Sequence, residues 1–355
     1  MRRVLRWSGI AAAGLLAGLL VLPYLLPFSS SGTATPQEVA RASLGADPIF
    51  LSVGGIEVYV ERATAGDRDP AGGDPTVGDA AADDGAAPDA ADDHAPPLII
   101  VLHGFGASAA TWREVLPELA AFGEVVAYDR PPFGFTERPT ADGPVDPFGT
   151  DGQLDLLAAV IEAFRGDDPA RQVVLLGHSA GGALAAEYAL RAPDDVDALV
   201  LVAPAVLTTG GAPRGVQWLL GFPPIERWGP WIARAAAGGG DRLLERSWHD
   251  PTRLTEAQRR RYAEPRRIDG WEHGLWRLVR APSELTVSDD PSQLDLPVLL
   301  ITGDDDRVVP TDDTRRLAEL LEGAELEVLE ATGHVPHEES PDALLTAVRE
   351  HWPLR

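Results

Sequence analysis

The chain has no cysteine and no lysine among its 355 residues. Without cysteine, disulfide bonds, thiolate catalysis and cysteine-ligated metal sites are excluded. Without lysine, every basic residue is arginine; with the abundant alanine, glycine and proline, this is typical of a GC-rich genome rather than of a function. Positive charge is scarce as well, with 30 basic against 55 acidic residues and a net charge of −25. An acidic chain of this kind repels the phosphate backbone, so a nucleic-acid partner is not expected.

Charge is absent altogether from residues 7–28, which follow Arg2, Arg3 and Arg6. A helix of these 22 residues would be about 33 Å long, enough to cross a bilayer. Basic residues before the run predict a cytoplasmic N-terminus, with the rest of the chain on the other side of the cell membrane. We therefore expect residues 1–28 to be a single-pass membrane anchor and residues 29–48 a linker. A cleaved signal peptide with secretion is the alternative.

Residues 173–182 predict a tight turn between a buried strand and a helix. Four apolar residues precede Gly177, and helix-forming residues follow Gly182. Ser179 lies at this junction in a Gly-x-Ser-x-Gly pattern, the nucleophile elbow, whose turn leaves no room for side chains two residues before and after the serine. Because the chain has 36 glycines, the bare pattern is weak evidence. The position between a strand and a helix is what makes Ser179 a candidate nucleophile.

Strands and helices alternate through most of the chain, which predicts a mostly parallel α/β sheet. The apolar runs predict a hairpin at residues 49–60 and strands at 98–102, 124–128, 173–176, 198–202, 296–302 and 326–329. The amphipathic runs predict helices at residues 108–120, 151–164, 312–321 and 341–351.

Two segments interrupt this alternation. Residues 64–97 hold nine aspartates, one arginine and no aromatic residue, so we expect a disordered acidic insertion. Residues 209–285 hold six tryptophans in amphipathic runs, which predict a helical cap with most tryptophans in its core and one or two facing a pocket. The sheet domain is therefore expected in two parts, residues 49–208 and 286–355.

A serine hydroxyl becomes a nucleophile when a base takes its proton and an acidic group orients that base. Three carboxylates stand in the turn after the next-to-last predicted strand: Asp304, Asp305 and Asp306. Two histidines, His334 and His337, stand on the loop after the last strand. Because these loops follow neighbouring strands, their side chains are expected to meet near Ser179.

The chain from residue 49 to residue 355 resembles the capped α/β-hydrolases, the group of esterases, lipases and carbon–carbon-bond hydrolases. Four motifs besides the serine turn carry the resemblance: His103-Gly104-Phe105-Gly106, Asp129-Arg130-Pro131-Pro132-Phe133-Gly134, Gly303-x-x-Asp306-x-x-x-Pro310 and Gly333-His334-x-Pro336-His337-x-Glu339-x-Pro341. The second departs from the family pattern at Pro132, where glycine is usual. The resemblance implies the α/β-hydrolase fold, a mostly parallel eight-stranded sheet flanked by helices, with an inserted helical cap.

The resemblance also implies a role for each candidate residue. Ser179 would be the nucleophile, His334 the general base and then acid, and Asp306 the carboxylate that orients the imidazole. The backbone amides of Phe105 and Ala180 would form the oxyanion hole. The two remaining aspartates of the turn would then be solvated, and the histidines at positions 103 and 178 structural.

The implied activity is that of a serine hydrolase without cofactor or metal. It would cleave a carboxylic ester of a small to medium apolar acid through an acyl-enzyme intermediate. A carbon–carbon-bond hydrolase, a thioesterase and a perhydrolase use the same triad and stay open as alternatives, as does a receptor-like member that binds a ligand. The expected partners are a small apolar ester and, through residues 1–28, the membrane; the oligomeric state stays open.

Overall fold

The protein folds around one eight-stranded sheet. The structure, a computed structural model, describes residues 19–44, 47–67, 95–139, 146–208, 219–281 and 284–354. The strands are β1 (Ile49–Val53), β2 (Ile56–Ala63), β3 (Leu98–Leu102), β4 (Glu124–Tyr128), β5 (Val173–His178), β6 (Ala198–Val202), β7 (Val298–Gly303) and β8 (Glu325–Leu329). Their order across the sheet is β1-β2-β4-β3-β5-β6-β7-β8, and the neighbours from β4 to β8 are parallel. The predicted sheet is confirmed.

Helices cover both faces of the sheet and the edge at which its parallel strands end. They are α1 (Pro36–Leu44), α2 (Leu116–Leu119), α3 (Thr150–Arg165), α4 (Ala180–Arg191), α5 (Pro223–Ala237), α6 (Gly240–Ser247), α7 (Glu256–Ala263), α8 (Trp271–Arg280), α9 (Thr311–Leu320), α10 (Pro336–Glu339) and α11 (Pro341–Glu350). The helices α5 to α8 lie between β6 and β7 and are called the cap helices below. The predicted inserted helical cap is confirmed for the described residues; residues 209–218 and 282–283 lie outside them.

The central strands are continuous apolar runs because helices cover both faces of the sheet, so side chains on neither face meet solvent. Every residue of β3 and β6 is buried, as expected for parallel strands covered by helices on both faces. Successive side chains alternate between the faces. Leu98 and Ile100 belong to one apolar cluster, whereas Ile99 and Val101 belong to the other. The two layers fix the sheet between helices and hold the ends of its strands in place.

The first hairpin lies at the antiparallel edge of the sheet. β2 pairs antiparallel with both β1 and β4. Ala63, the last residue of β2, pairs with Val125 near the start of β4, and β3 also begins beside this point. The segment at residues 64–97 therefore leaves and rejoins the sheet at the edge where β3 and β4 begin. The opposite edge is the one at which the parallel strands end. Residues 68–94, most of the predicted acidic insertion, lie outside the described residues.

The single helix predicted at residues 108–120 is two short elements. A 3₁₀ turn at Ala109–Trp112 is followed by α2 at Leu116–Leu119. Pro117 explains the interruption, because proline has no N–H to bond the carbonyl four residues earlier and its ring clashes with that turn. Pro117 instead stands in the first turn of α2, where the missing donor costs nothing.

The prediction of a membrane anchor is wrong. No helix in the described part of the chain is long and apolar enough to span a membrane. Residues 19–25 are helical, and Tyr24 in this helix stacks under the guanidinium of Arg227. Beyond the helix, Phe28 packs edge-on against Trp231. Within the described part of this run, Phe28 is partly buried against protein, whereas the large apolar side chains at positions 19–22 and 24–26 are exposed. Residues 1–18, the rest of the predicted anchor, lie outside the described residues.

The localisation inferred from that anchor is corrected with it. A single-pass protein with a cytoplasmic N-terminus and the sheet domain beyond the membrane requires a spanning helix, and none is found in the described ranges. The predicted linker at residues 29–48 also differs from expectation. It contains α1, whose Val39 and Ala40 are buried against the sheet domain.

Candidate active site

Ser179 stands at a strained turn between β5 and α4. Its φ is 52°, in the left-handed region that residues with a side chain rarely adopt. The flanking glycines are required by close approach: a Cβ on Gly177 would lie 2.6 Å from the Cα of Gly182, and one on Gly181 would lie 2.5 Å from the carbonyl oxygen of His103. The turn therefore holds the serine hydroxyl clear of the sheet at the N-terminus of α4.

The structure brings Ser179, His334 and Asp306 into one chain of hydrogen bonds. Ser179 Oγ lies 2.9 Å from His334 Nε2, and His334 Nδ1 lies 2.7 Å from Asp306 Oδ2. The other carboxylate oxygen, Oδ1, accepts the backbone N–H groups of Val308 at 2.8 Å and Val309 at 2.9 Å. All three side chains are buried. Two backbone donors thus fix the rotation of the carboxylate that faces the imidazole.

The competing candidates lie elsewhere. Asp304 accepts a long hydrogen bond from the N–H of Thr332, at 3.3 Å. Asp305 pairs with His249 of the cap segment, at 2.8 Å. His337 is fully buried and stacked on the indole of Trp112, with ring centroids 4.2 Å apart. Burial, then the nearby His334 and Arg261, lowers the pKa of His337 to about 3. It is therefore a neutral packing residue, not a base facing the serine.

Two further histidines hold the loops around Ser179. His103 accepts the N–H of Arg130 at Nε2, at 2.9 Å, and its Nδ1 lies 2.8 Å from the carbonyl oxygen of Gly104. His178 Nε2 lies 2.8 Å from the carbonyl oxygen of His334. Burial lowers the pKa of both rings well below the ordinary value. Each ring is neutral and joins two loops of the site.

The predicted oxyanion donors are the backbone amides of Phe105 and Ala180. Ala180 is the first residue of α4, so its N–H points out of the helix and has no acceptor in the preceding turn. Phe105 follows Gly104 in the chain, and Gly104 lies against Ser179. A Cβ on Gly104 would lie 3.2 Å from the Cβ of Ser179. Within the described ranges, neither amide donates a hydrogen bond. Both predicted donors are therefore available to an oxyanion.

Glu339 joins the histidine loop to the cap. Its buried carboxylate accepts three backbone N–H groups, from Gly333 at 2.7 Å and from His249 and Asp250 at 2.9 Å each. The N–H of His334 itself donates to the carbonyl of a cap residue, Ser247, at 2.6 Å. The glutamate was visible in the sequence as part of the histidine motif. Its function as a tie between two distant segments became apparent only in the fold.

A pocket of about 540 Å³ lies between the cap helices and the end of the sheet, and Ser179 and His334 form part of its wall. Its lining is mainly apolar and aromatic, from both the sheet loops and the cap: Phe105, Phe133, Ile232, Leu243, Trp271, Leu275, Trp276, Val279 and Val335. The charged residues in the lining are Arg138, Arg266 and Asp241. Two of the predicted cap tryptophans thus face the pocket, whereas Trp248 is in the cap core.

A buried acid supports the pocket wall from behind. Tyr262 lines the pocket, and its hydroxyl donates to Glu338 at 2.5 Å. Arg261 lies near the second oxygen of Glu338, at 3.7 Å, and its own closest partner is Glu114. Burial raises the pKa of Glu338 to about 8. The folded protein therefore keeps a proton on Glu338 that the unfolded chain loses near the ordinary value of 4.5.

This difference predicts a pH-dependent stability. Between pH 4.5 and about 8 the folded state binds more protons than the unfolded state, so the free energy of unfolding falls as the pH rises. Glu338→Gln cannot ionise, and we expect it to be more stable than wild type by roughly 4 kcal/mol at pH 8 and by about 1 kcal/mol or less at pH 5. Urea unfolding at both pH values measures this. The exposed Glu319→Gln is the control, and equal pH slopes for the three proteins would contradict the prediction.

The fold and the site together define the class of protein. The family described as alpha/beta hydrolase fold matches residues 97–341, more than half of the chain. The chain belongs to the α/β-hydrolase fold family.

Individual relatives extend the comparison. The chain is 30% identical over 245 residues to a 2-hydroxy-6-oxo-2,4-heptadienoate hydrolase of Pseudomonas putida, over 66% of this chain and 82% of the relative. Among solved structures, it is similar to 2-hydroxy-6-oxo-6-phenylhexa-2,4-dienoate hydrolase of Rhodococcus, with a TM-score of 0.61 and 20% identity over 86% of this chain and 98% of that one. A bromoperoxidase of Bacillus anthracis gives a TM-score of 0.62 at 16% identity, over 86% and 99%. The two solved structures share the fold.

Proposed function

We propose that the protein is a serine hydrolase with the triad Ser179, His334 and Asp306. The observation that carries the proposal is the pair of hydrogen bonds from Ser179 Oγ to His334 Nε2 and from His334 Nδ1 to Asp306, at 2.9 and 2.7 Å. These lengths lie in the range for a nucleophile, a base and a carboxylate that act together. Membership of the α/β-hydrolase fold family supports the same reading.

The proposed reaction proceeds through an acyl-enzyme. Ser179 Oγ attacks the substrate carbonyl carbon while its proton passes to His334 Nε2, and the amides of Phe105 and Ala180 stabilise the oxyanion. Collapse of the tetrahedral intermediate breaks the bond to the leaving group, which takes the proton from His334. Water then attacks the acyl carbon and loses its proton to the same nitrogen; the bond from the acyl carbon to Ser179 Oγ breaks, and His334 returns that proton to Oγ as the product acid leaves. Asp306 stabilises the imidazolium in both halves.

We propose a carboxylic ester with an apolar acyl chain as the substrate. The support is the apolar and aromatic lining of the pocket beside Ser179, with a volume of about 540 Å³. A pocket of this size holds a small to medium molecule, and its few polar groups leave the apolar part of the substrate to supply most of the binding energy.

A second candidate is a carbon–carbon-bond hydrolase acting on a dienoate. The named relative at 30% identity is a 2-hydroxy-6-oxo-2,4-heptadienoate hydrolase, and by its name such a substrate carries a carboxylate. The pocket lining offers cations for a carboxylate. Arg266 donates to the carbonyl of Ala237 at 3.1 Å and has no ion pair among the described residues. The buried Arg138 donates to carbonyl oxygens, including that of Pro265 at 3.3 Å.

A substrate panel separates the two candidates. We expect the purified full chain to hydrolyse p-nitrophenyl esters with multiple turnovers and with kcat/KM that depends on acyl length. The panel also includes thioesters and 2-hydroxy-6-oxo-2,4-heptadienoate. If the dienoate gives a kcat/KM more than about tenfold above that of the best ester, the second candidate replaces the first. A chain that turns over no member of the panel contradicts both.

Substitution of Arg266 tests whether the substrate carries a carboxylate. If the substrate carries a carboxylate, Arg266→Gln lowers its kcat/KM by about tenfold or more, the scale of one charge-assisted hydrogen bond, and leaves neutral esters unchanged. The exposed Arg260→Gln, on the neighbouring helix, is the matched control.

A further inference from the structure

The segment at residues 28–34 is packed along the outside of the cap and is called the strap below. Phe28 contacts Trp231 and His273, with ring centroids 5.2 and 5.0 Å apart. The guanidinium of Arg234 lies 4.7 Å from the centre of the Phe28 ring and donates to the carbonyl of Ser29 at 2.6 Å. The strap therefore joins α5, which carries Trp231 and Arg234, to α8, which carries His273.

Glu272 is the centre of this contact. The carboxylate is fully buried. It accepts the hydroxyl of Ser30 at 2.7 Å, and both the hydroxyl and the N–H of Ser31, at 2.7 and 2.9 Å. Arg234 completes the set with two bonds, at 2.9 and 2.7 Å. A buried carboxylate is costly unless it is paired and hydrogen-bonded, and three of the five bonds here come from the strap.

The strap also pairs with the backbone ahead of α8. The N–H of Thr33 donates to the carbonyl of Arg267 at 3.0 Å, and the N–H of Asp269 donates to the carbonyl of Ala34 at 3.0 Å. Gly32 allows this approach, because a Cβ there would lie 2.1 Å from the carbonyl oxygen of Ile268. The strap thus fixes the residues at which α8 begins.

Trp271 contacts both the strap and the pocket. It is the first residue of α8, and its indole N–H donates to Ser31 Oγ at 3.0 Å. The same tryptophan lines the pocket, and Leu275 and Val279, which follow it at intervals of four residues along one side of the helix, line it too. One side of α8 therefore faces the strap and the other faces the substrate.

We propose that the strap determines substrate specificity, with Ser31 and Glu272 as positioning residues that hold Trp271 and the first turn of α8 in the pocket wall. The proposal rests on the proposed hydrolase function for its activity readout. With the strap bonds present, the wall is rigid and limits the length of acyl chain that fits beneath it. Without them, α8 gains freedom and the limit on chain length relaxes.

The test uses the full chain with three variants. Ser30→Ala/Ser31→Ala removes the strap hydroxyls that bond Glu272 and Trp271. Ser29→Ala is the matched control, because that side chain is exposed and its carbonyl, which Arg234 binds, is retained. Ser30→Thr/Ser31→Thr keeps the hydroxyls and serves as the rescue. Each protein is assayed on p-nitrophenyl esters from acetate to decanoate, and hydrogen exchange is measured for the peptide covering Trp271–Arg280.

We expect the double alanine variant to change the ratio of kcat/KM for long and short esters by about fivefold or more, mainly through KM, the scale of one or two lost hydrogen bonds. Exchange in α8 should rise at least about threefold, because local opening becomes easier. The control should match wild type, and the threonine variant should restore both readouts.

An unchanged ratio with unchanged exchange overturns the proposal, as does a serine control that shifts as far as the double variant. Faster hydrogen exchange in α8 with an unchanged ratio of kcat/KM for long and short esters overturns the role of the strap in substrate specificity. The exchange readout needs no substrate. If wild type turns over no ester, the hydrolase function fails, while exchange in α8 still decides whether the strap holds the pocket wall.

Discussion

Ser179→Ala lowers the kcat/KM for the best ester by about 10³-fold or more, equivalent to roughly 4 kcal/mol of transition-state stabilisation. The reason is geometric. Among the described residues, His334 Nε2 has one partner at 2.9 Å, the serine hydroxyl, and alanine leaves the base with no nucleophile to activate. The expected residual rate comes from the oxyanion donors and substrate binding. Steady-state assays and labelling by a fluorophosphonate probe measure the change.

A second serine-to-alanine variant is the control for Ser179→Ala. Ser292→Ala removes an exposed hydroxyl that bonds Asp290 far from the pocket, and it should keep full activity and full probe labelling. Folding of both variants is checked by their unfolding midpoints, because the serine turn is strained and a substitution there can change stability as well as chemistry. Hydrolysis by Ser179→Ala at the wild-type rate would falsify the assignment of the nucleophile.

Asp306→Asn is expected to lower kcat by about 10³- to 10⁴-fold. The amides of Val308 and Val309 both donate to Oδ1, so the asparagine oxygen takes that position and its NH₂ group faces His334 Nδ1. Nδ1 must then accept a hydrogen bond, which places the imidazole proton on Nε2. In this tautomer His334 cannot accept the proton of Ser179 and cannot act as the base.

The other two aspartates of the turn provide matched controls. Asp304→Asn and Asp305→Asn should each stay within about threefold of wild type, because Asp304 bonds the N–H of Thr332 and Asp305 bonds His249, and neither bonds the imidazole of His334. If Asp304→Asn or Asp305→Asn is the most damaged of the three, a different carboxylate orients His334.

Local sequence signals predicted the elements that depend on neighbouring residues. The strands at 98–102, 124–128 and 198–202 begin and end where their apolar runs do. A run of buried β-branched residues has few alternatives to a covered parallel strand. The same reasoning failed at the N-terminus. Absence of charge measures only how apolar a segment is, and an apolar segment can pack on protein as well as in lipid, as Phe28 does against the cap.

The sequence by itself determined the α/β-hydrolase fold and the chain order of Ser179, Asp306 and His334, because glycine sterics, apolar periodicity and the loops after strands are local properties. The residues alone left three aspartates open and the family resemblance named Asp306; the tertiary structure added its contact with the imidazole and the two backbone amides that fix the rotation of its carboxylate. It also placed Trp271 in the pocket lining, its indole N–H on Ser31 Oγ, and the Ser31 hydroxyl on Glu272. Ser31 and Glu272 are 241 positions apart in the chain. Contacts over such a separation arise from packing of the whole fold, and no local pattern encodes them.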